Sequence, residues 1–150
     1  AVLYPLLAIG SALVHLYFDG MGLLGASGAI MGLAGMYLMF FPINTVWMPG
    51  WIRWGLIGGF HLSYRVWALR GFWVVLFFIA FDVLYTSLGA EDGVAHWAHL
   101  GGFVLGMLAA LLLMVTRLTD ARGGDLLSVL LGRHAWFLVG RPNRAAAQVA

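Results

Sequence analysis

Two residues far apart in the chain carry the types and surroundings that nucleophilic chemistry requires. Ser27 sits in GASGAIMGLAG, Gly25 to Gly35, and His99 sits in AHWAHLGGFVLG about seventy residues later. A serine hydroxyl attacks a carbonyl well only when a base takes its proton, and a neutral histidine within hydrogen-bond reach does that near pH 7. If a helix begins at Ser27, its first backbone N–H groups and positive dipole end would favour an oxyanion forming there. The small neighbours Gly25, Ala26 and Gly28 would leave room for an extended substrate backbone. Alone, a serine of this kind reads as a helix cap or an interhelical hydrogen-bonding group, so the proposed chemistry rests on bringing His99 to it.

The elements that must do so are membrane helices. The chain has 150 residues, of which 63% are hydrophobic and only 9% charged, and its mean hydropathy is +0.95. That balance suits a bilayer and not a water-soluble domain. Apolar stretches at about 1–18, 27–42, 71–88 and 94–116 approach or reach the roughly 20 residues needed to cross a hydrocarbon core. The fold class expected is therefore an all-α polytopic bundle, with residues 1–116 as the transmembrane domain and 117–150 as a cytoplasmic tail. The hydrophobic run starts at Ala1 with no basic leader or cleavage site, so no signal peptide is expected, and the chain reads as the C-terminal part of something longer.

The connection over 43–70 mixes Trp47, Trp51, Trp54 and Trp67 with Arg53, Arg65 and Arg70, an interfacial composition. It reads as a loop, with WGLIGGF as a possible re-entrant dip. All eight arginines lie in this connection or after residue 116, whereas the other two connections carry Asp19 and Glu91–Asp92. The positive-inside rule then puts both arginine-bearing segments in the cytoplasm, with the first and third spans running outward and the second and fourth inward. Ser27 and His99 fall at similar depth on the outer side. Water would reach them between Asp19 and the Glu91–Asp92 connection.

Small residues recur along two of the spans, Gly28, Gly32 and Gly35 on one and Gly102, Gly106 and Ala110 on the other. Such stripes let membrane helices approach closely. His99 shares a helical face with Gly102 and Gly106, and Ser27 borders the other stripe, so a close crossing would bring imidazole to hydroxyl.

These residues carry a family resemblance. GASGAIMGLAG followed by AHWAHLGGFVLG closely resembles the rhomboid intramembrane serine proteases, whose GxSG motif supplies the nucleophile and whose second histidine, in AHxxGxxxG, supplies the base. The resemblance covers about residues 1–116, including the arginine-marked topology and Trp73, and it maps the two roles onto Ser27 and His99. It implies the C-terminal four-span portion of a six-helix core. The first two helices of that core, with a His/Asn pair that helps bind the oxyanion, have no counterpart here. Some relatives place an aromatic ring where this chain has Met31, a side chain that fills the gap but fixes the histidine less firmly.

The implied activity is hydrolysis of a peptide bond in or near the membrane-spanning helix of a protein substrate, in contact with membrane lipids, without metal, nucleotide or nucleic acid. Oligomeric state is left open. Asp82 invites a triad with His99, but its place near the middle of its span and the family's dyad favour an acid hydrogen-bonded inside the bundle. His96 is expected to be a structural or water-facing neighbour of the site. Two alternatives stay open: a non-catalytic relative that only binds membrane helices, and a carrier of metal or protons built on His96 and His99 with His15, His61 or Asp82. The absence of cysteine excludes thiolate catalysis and disulfides. The leucine-rich patch DLLSVLLGRHAWFLVG reads as a short amphipathic helix on the inner leaflet or a loose tail.

Overall fold

A computed structural model describes residues 2–20, 25–54, 61–89, 93–120 and 123–140. The four apolar stretches form helices: α1 (Leu3–Phe18), α2 (Ser27–Phe40), α3 (Gly71–Leu88) and α4 (His96–Val115). Of these, α3 and α4 are long and apolar enough to cross a membrane, while α1 and α2 are shorter apolar helices. At 1.5 Å per residue, α2 is about 21 Å long and α4 about 30 Å. The chain leaves α2 at Phe41, just before Pro42, which has no N–H to continue the helical ladder.

Glycine contacts fix how the helices run. A Cβ on Gly102 would collide with the Gly28 carbonyl, and one on Gly106 with the Gly32 carbonyl, so α2 and α4 are parallel and in backbone contact. A Cβ on Gly10 would strike Leu105 and one on Gly101 would strike Val14, so α1 runs antiparallel to α4. Leu7 faces Gly32 and Ser11 faces Gly28, which wedges α1 against the α2–α4 pair. Ser11 is buried there, with its hydroxyl donating to the Ala8 carbonyl at 2.9 Å. Phe18 stacks on Trp97 at 4.3 Å between ring centroids and ties the end of α1 to the start of α4.

The 43–70 connection is more ordered than the loop expected from its sequence. Strands β1 (Thr45–Trp54) and β2 (His61–Arg70) pair antiparallel from Thr45↔Arg70 to Trp54↔His61. Its β-branched and aromatic residues suit a pleated ribbon, and Pro49 is tolerated because each strand of a two-stranded sheet has an unpaired edge. The Asn44 carbonyl accepts from Gly71 N–H at 2.8 Å, closing the base of the hairpin as β2 passes into α3. Exposed Trp47, Tyr64 and Trp67 give this ribbon the aromatic surface of a membrane interface. The re-entrant dip expected for WGLIGGF falls, apart from Trp54, outside the described residues.

The leucine-rich patch after the bundle is also placed. It forms α5 (Leu126–Leu131), a 3-10 turn over Gly132–Ala135, and α6 (Trp136–Val139). Buried Asp125 caps α5, accepting from Ser128 N–H at 2.9 Å and from the Ser128 hydroxyl at 2.7 Å. Leu126, Leu127 and Val139 pack on a cluster of Met39, Ala110 and Met114 at the ends of α2 and α4. This patch is therefore docked on the bundle, with Leu130 and Phe137 left exposed.

Candidate active site

Ser27 is the first residue of α2, and Ala26 is its cap, without a side-chain cap hydrogen bond. The serine hydroxyl is thus not consumed in capping. Gly25 has φ of +135°, a backbone state L side chains rarely adopt, and it turns the chain into the helix so that Ser27 is exposed. Ile30 N–H donates to the Ala26 carbonyl at 3.1 Å as the first helical bond. The preceding N–H groups of Ser27, Gly28 and Ala29 have no intrahelical acceptor and lie beside the hydroxyl, where a carbonyl oxygen gaining charge would meet them.

The glycine register sets the depth of the site. Because Gly28 opposes Gly102, Ser27 is level with Gly101, five residues and hence about 7.5 Å below the first residue of α4. His99, one turn into α4, is at nearly the same depth. Ser27 and His99 line one pocket of about 250 Å³ with Ile30, Met31, Phe78, Phe81 and Asp82, so that α2, α3 and α4 all contribute. No hydrogen bond joins Ser27 to His99 among the described residues; they share the pocket wall. Met31 helps to line it, whereas Gly32, Gly35, Gly102 and Gly106 are buried in the α2–α4 contact. A Cβ on Gly35 would collide with the Phe103 carbonyl.

The structure joins the two readings that the sequence offered for Asp82, a triad with His99 and an acid hydrogen-bonded inside the bundle. The Asp82 side chain is buried in α3, as expected for an acid bonded inside the bundle, but its partners are the two histidines of α4. Asp82 Oδ1 lies within hydrogen-bond distance of both, 2.7 Å from His96 Nδ1 and 3.0 Å from His99 Nδ1. Asp82 is six residues, about 9 Å, from the end of α3 at Leu88, so an antiparallel α4 offers it the first turn and not the bundle centre. His96 is the structural neighbour of the site: its ring sits 5.3 Å from that of Tyr85 and crosses that of His99 at 85°. The sequence signal was present as two imidazoles one turn apart, but the loop joining α3 to α4 hides which residue of α3 faces them.

Asp82, His96 and His99 place one donor atom each within 4.8 Å of one another and could hold a metal ion. Donors bound at about 2.0–2.1 Å around a tetrahedral zinc stand roughly 3.3 Å apart. The Asp82–His96 separation of 2.7 Å is that of a hydrogen bond and would have to widen. His15 is buried on α1, its Nε2 3.5 Å from Asp19 and its Nδ1 without a partner, and it stands outside this cluster. His61 lies in β2.

A helical membrane bundle with a serine at a helix start and a histidine facing the same pocket defines the class of protein. The family model for the rhomboid domain matches residues 1–116, and the chain belongs to the rhomboid family, whose members are generally intramembrane proteases acting on transmembrane substrates. Neither a curated protein nor a solved structure matches the chain.

Proposed function

We propose that this chain is a serine endopeptidase that hydrolyses a peptide bond in or beside the membrane-spanning helix of a protein substrate. The observation that carries this reading is the shared pocket of Ser27 and His99 at the recessed start of α2. Ser27 Oγ attacks the substrate carbonyl while His99 takes its proton, and the resulting oxyanion lies against the first N–H groups of α2, with Gly25, Ala26 and Gly28 leaving space for substrate backbone. His99 then gives the proton to the departing amine, leaving an acyl-enzyme on Ser27. Water, deprotonated by His99, releases the new carboxylate and restores the hydroxyl. The arginine distribution supports an active site open to the outer side, with the segment after α4 in the cytoplasm.

A fluorophosphonate probe tests the reading on the bilayer-embedded chain. Labelling that is lost in both Ser27→Ala and His99→Ala supports an activated nucleophile. Folded chain that takes up no probe supports a relative that binds membrane helices without cutting them. The three donors Asp82, His96 and His99 favour one further reading, a metal site, which requires the hydrogen-bonded geometry to open.

A further inference from the structure

Asp82 is a buried acid on a helix long and apolar enough to cross a membrane, and such groups persist only when paired. Its pairing is specific. An ionised Asp82 accepts and cannot donate, so each imidazole bonded to Oδ1 would then present an N–H from Nδ1. For His99 this leaves Nε2 as the nitrogen with a lone pair, the atom a general base would turn toward Ser27. The opposite tautomer would put the proton on Nε2 and break the bond to Asp82. His96, one turn earlier on α4, holds the same oxygen from a nearly perpendicular ring plane and is itself backed by Tyr85. The acceptor is therefore fixed from two sides before it touches His99.

We propose that Asp82 is a positioning residue that holds His99 in its Nδ1–H tautomer with Nε2 directed at the pocket, so that the base of the Ser27–His99 pair is oriented from α3. This rests on the reading of Ser27 as nucleophile and His99 as base. Asp82 acts through His99 and does not itself take a proton in the reaction. In serine hydrolases whose buried aspartate is replaced by asparagine, kcat falls on the order of 10⁴-fold because the histidine adopts the wrong tautomer.

The test uses the full chain in lipid nanodiscs, comparing the wild type with Asp82→Asn and Ser27→Ala. Nitrogen-15 NMR of the His99 imidazole reads the tautomer, and turnover of a transmembrane substrate reads kcat and KM separately. The expected result is an Nδ1–H tautomer in the wild type, lost in Asp82→Asn, with kcat down by about 100-fold or more and KM within about threefold. A wild-type His99 protonated on Nε2 overturns the proposal, and needs no variant to fold. So does Asp82→Asn with undiminished kcat while Ser27→Ala is inactive, which leaves the protease reading standing. A wild type without Ser27-dependent turnover or labelling removes the protease reading instead, and the tautomer alone then decides whether Asp82 orients the ring.

Discussion

The carbonyl oxygen of Gly28 occupies the space that a Cβ on Gly102 would need. Because this contact is backbone against backbone, no rotamer change can relieve it, and any side chain at 102 must push α4 away from α2. That motion also separates His99 from Ser27, since each lies within one turn of the contact. Gly102→Leu is expected to cost about 1–3 kcal/mol or more in unfolding free energy and to abolish turnover. Val104→Ala, on the exposed side of the same helix, serves as control and should be nearly silent in both. Thermal unfolding in detergent, followed by circular dichroism, reads the stability difference; equal melting of Gly102→Leu and wild type would show that the helices do not need this approach.

Ser27→Ala should separate chemistry from folding. Ser27 is exposed, is not the helix cap, and leaves no buried partner behind when its hydroxyl is removed. Stability is expected to stay within about 0.5 kcal/mol of wild type. Turnover should fall by a factor on the order of 10⁴ or more, as when a nucleophile is removed from a serine protease. Full residual cleavage would place the nucleophile elsewhere.

The two histidines on α4 should respond unequally. His99→Ala removes the proposed base and should bring activity to background. His96→Ala removes one of two partners of Asp82 but leaves the other in place, so activity should drop by no more than about tenfold, the equivalent of one ordinary hydrogen bond. Steady-state kinetics on the same substrate decides it. A reversal of the two effects would move the base to His96.

Much of this arrangement was legible because it depends on spacing within a helix. Glycines four residues apart make a stripe wherever the helix is placed, and alternating loop charge makes the second and fourth helices parallel, so Ser27 and His99 could be set at one depth. What depends on offsets between helices was not legible. Asp82 reads as mid-span when counted along its own apolar run, yet the connection to α4 brings it opposite His96 and His99. The β1–β2 hairpin was hidden for a different reason: tryptophan and arginine mark a membrane interface whatever the backbone does, and Pro49–Gly50 interrupts the alternation that signals a strand. Docking of α5 on Met39, Ala110 and Met114 likewise rests on a tertiary contact that the short LLSVLL run does not announce.

A chelator should discriminate between the two roles open to the Asp82, His96 and His99 cluster. Binding a metal through Nδ1 would require that nitrogen of each histidine to carry no proton, and would turn His99 from a base into a ligand. Hydrogen-bonded as they are at 2.7 and 3.0 Å, the three groups satisfy one another without an ion. Turnover and fluorophosphonate labelling are therefore expected to be unchanged after exhaustive treatment with EDTA. Loss of activity on chelation, with recovery on adding zinc, would assign the cluster to a metal and deprive Ser27 of its base, since a zinc-bound imidazole has no lone pair left at the bound nitrogen and its ring is held toward the ion. Thermal stability measured in the same samples separates a structural ion, which would lower the melting temperature when removed, from one that acts in the reaction alone.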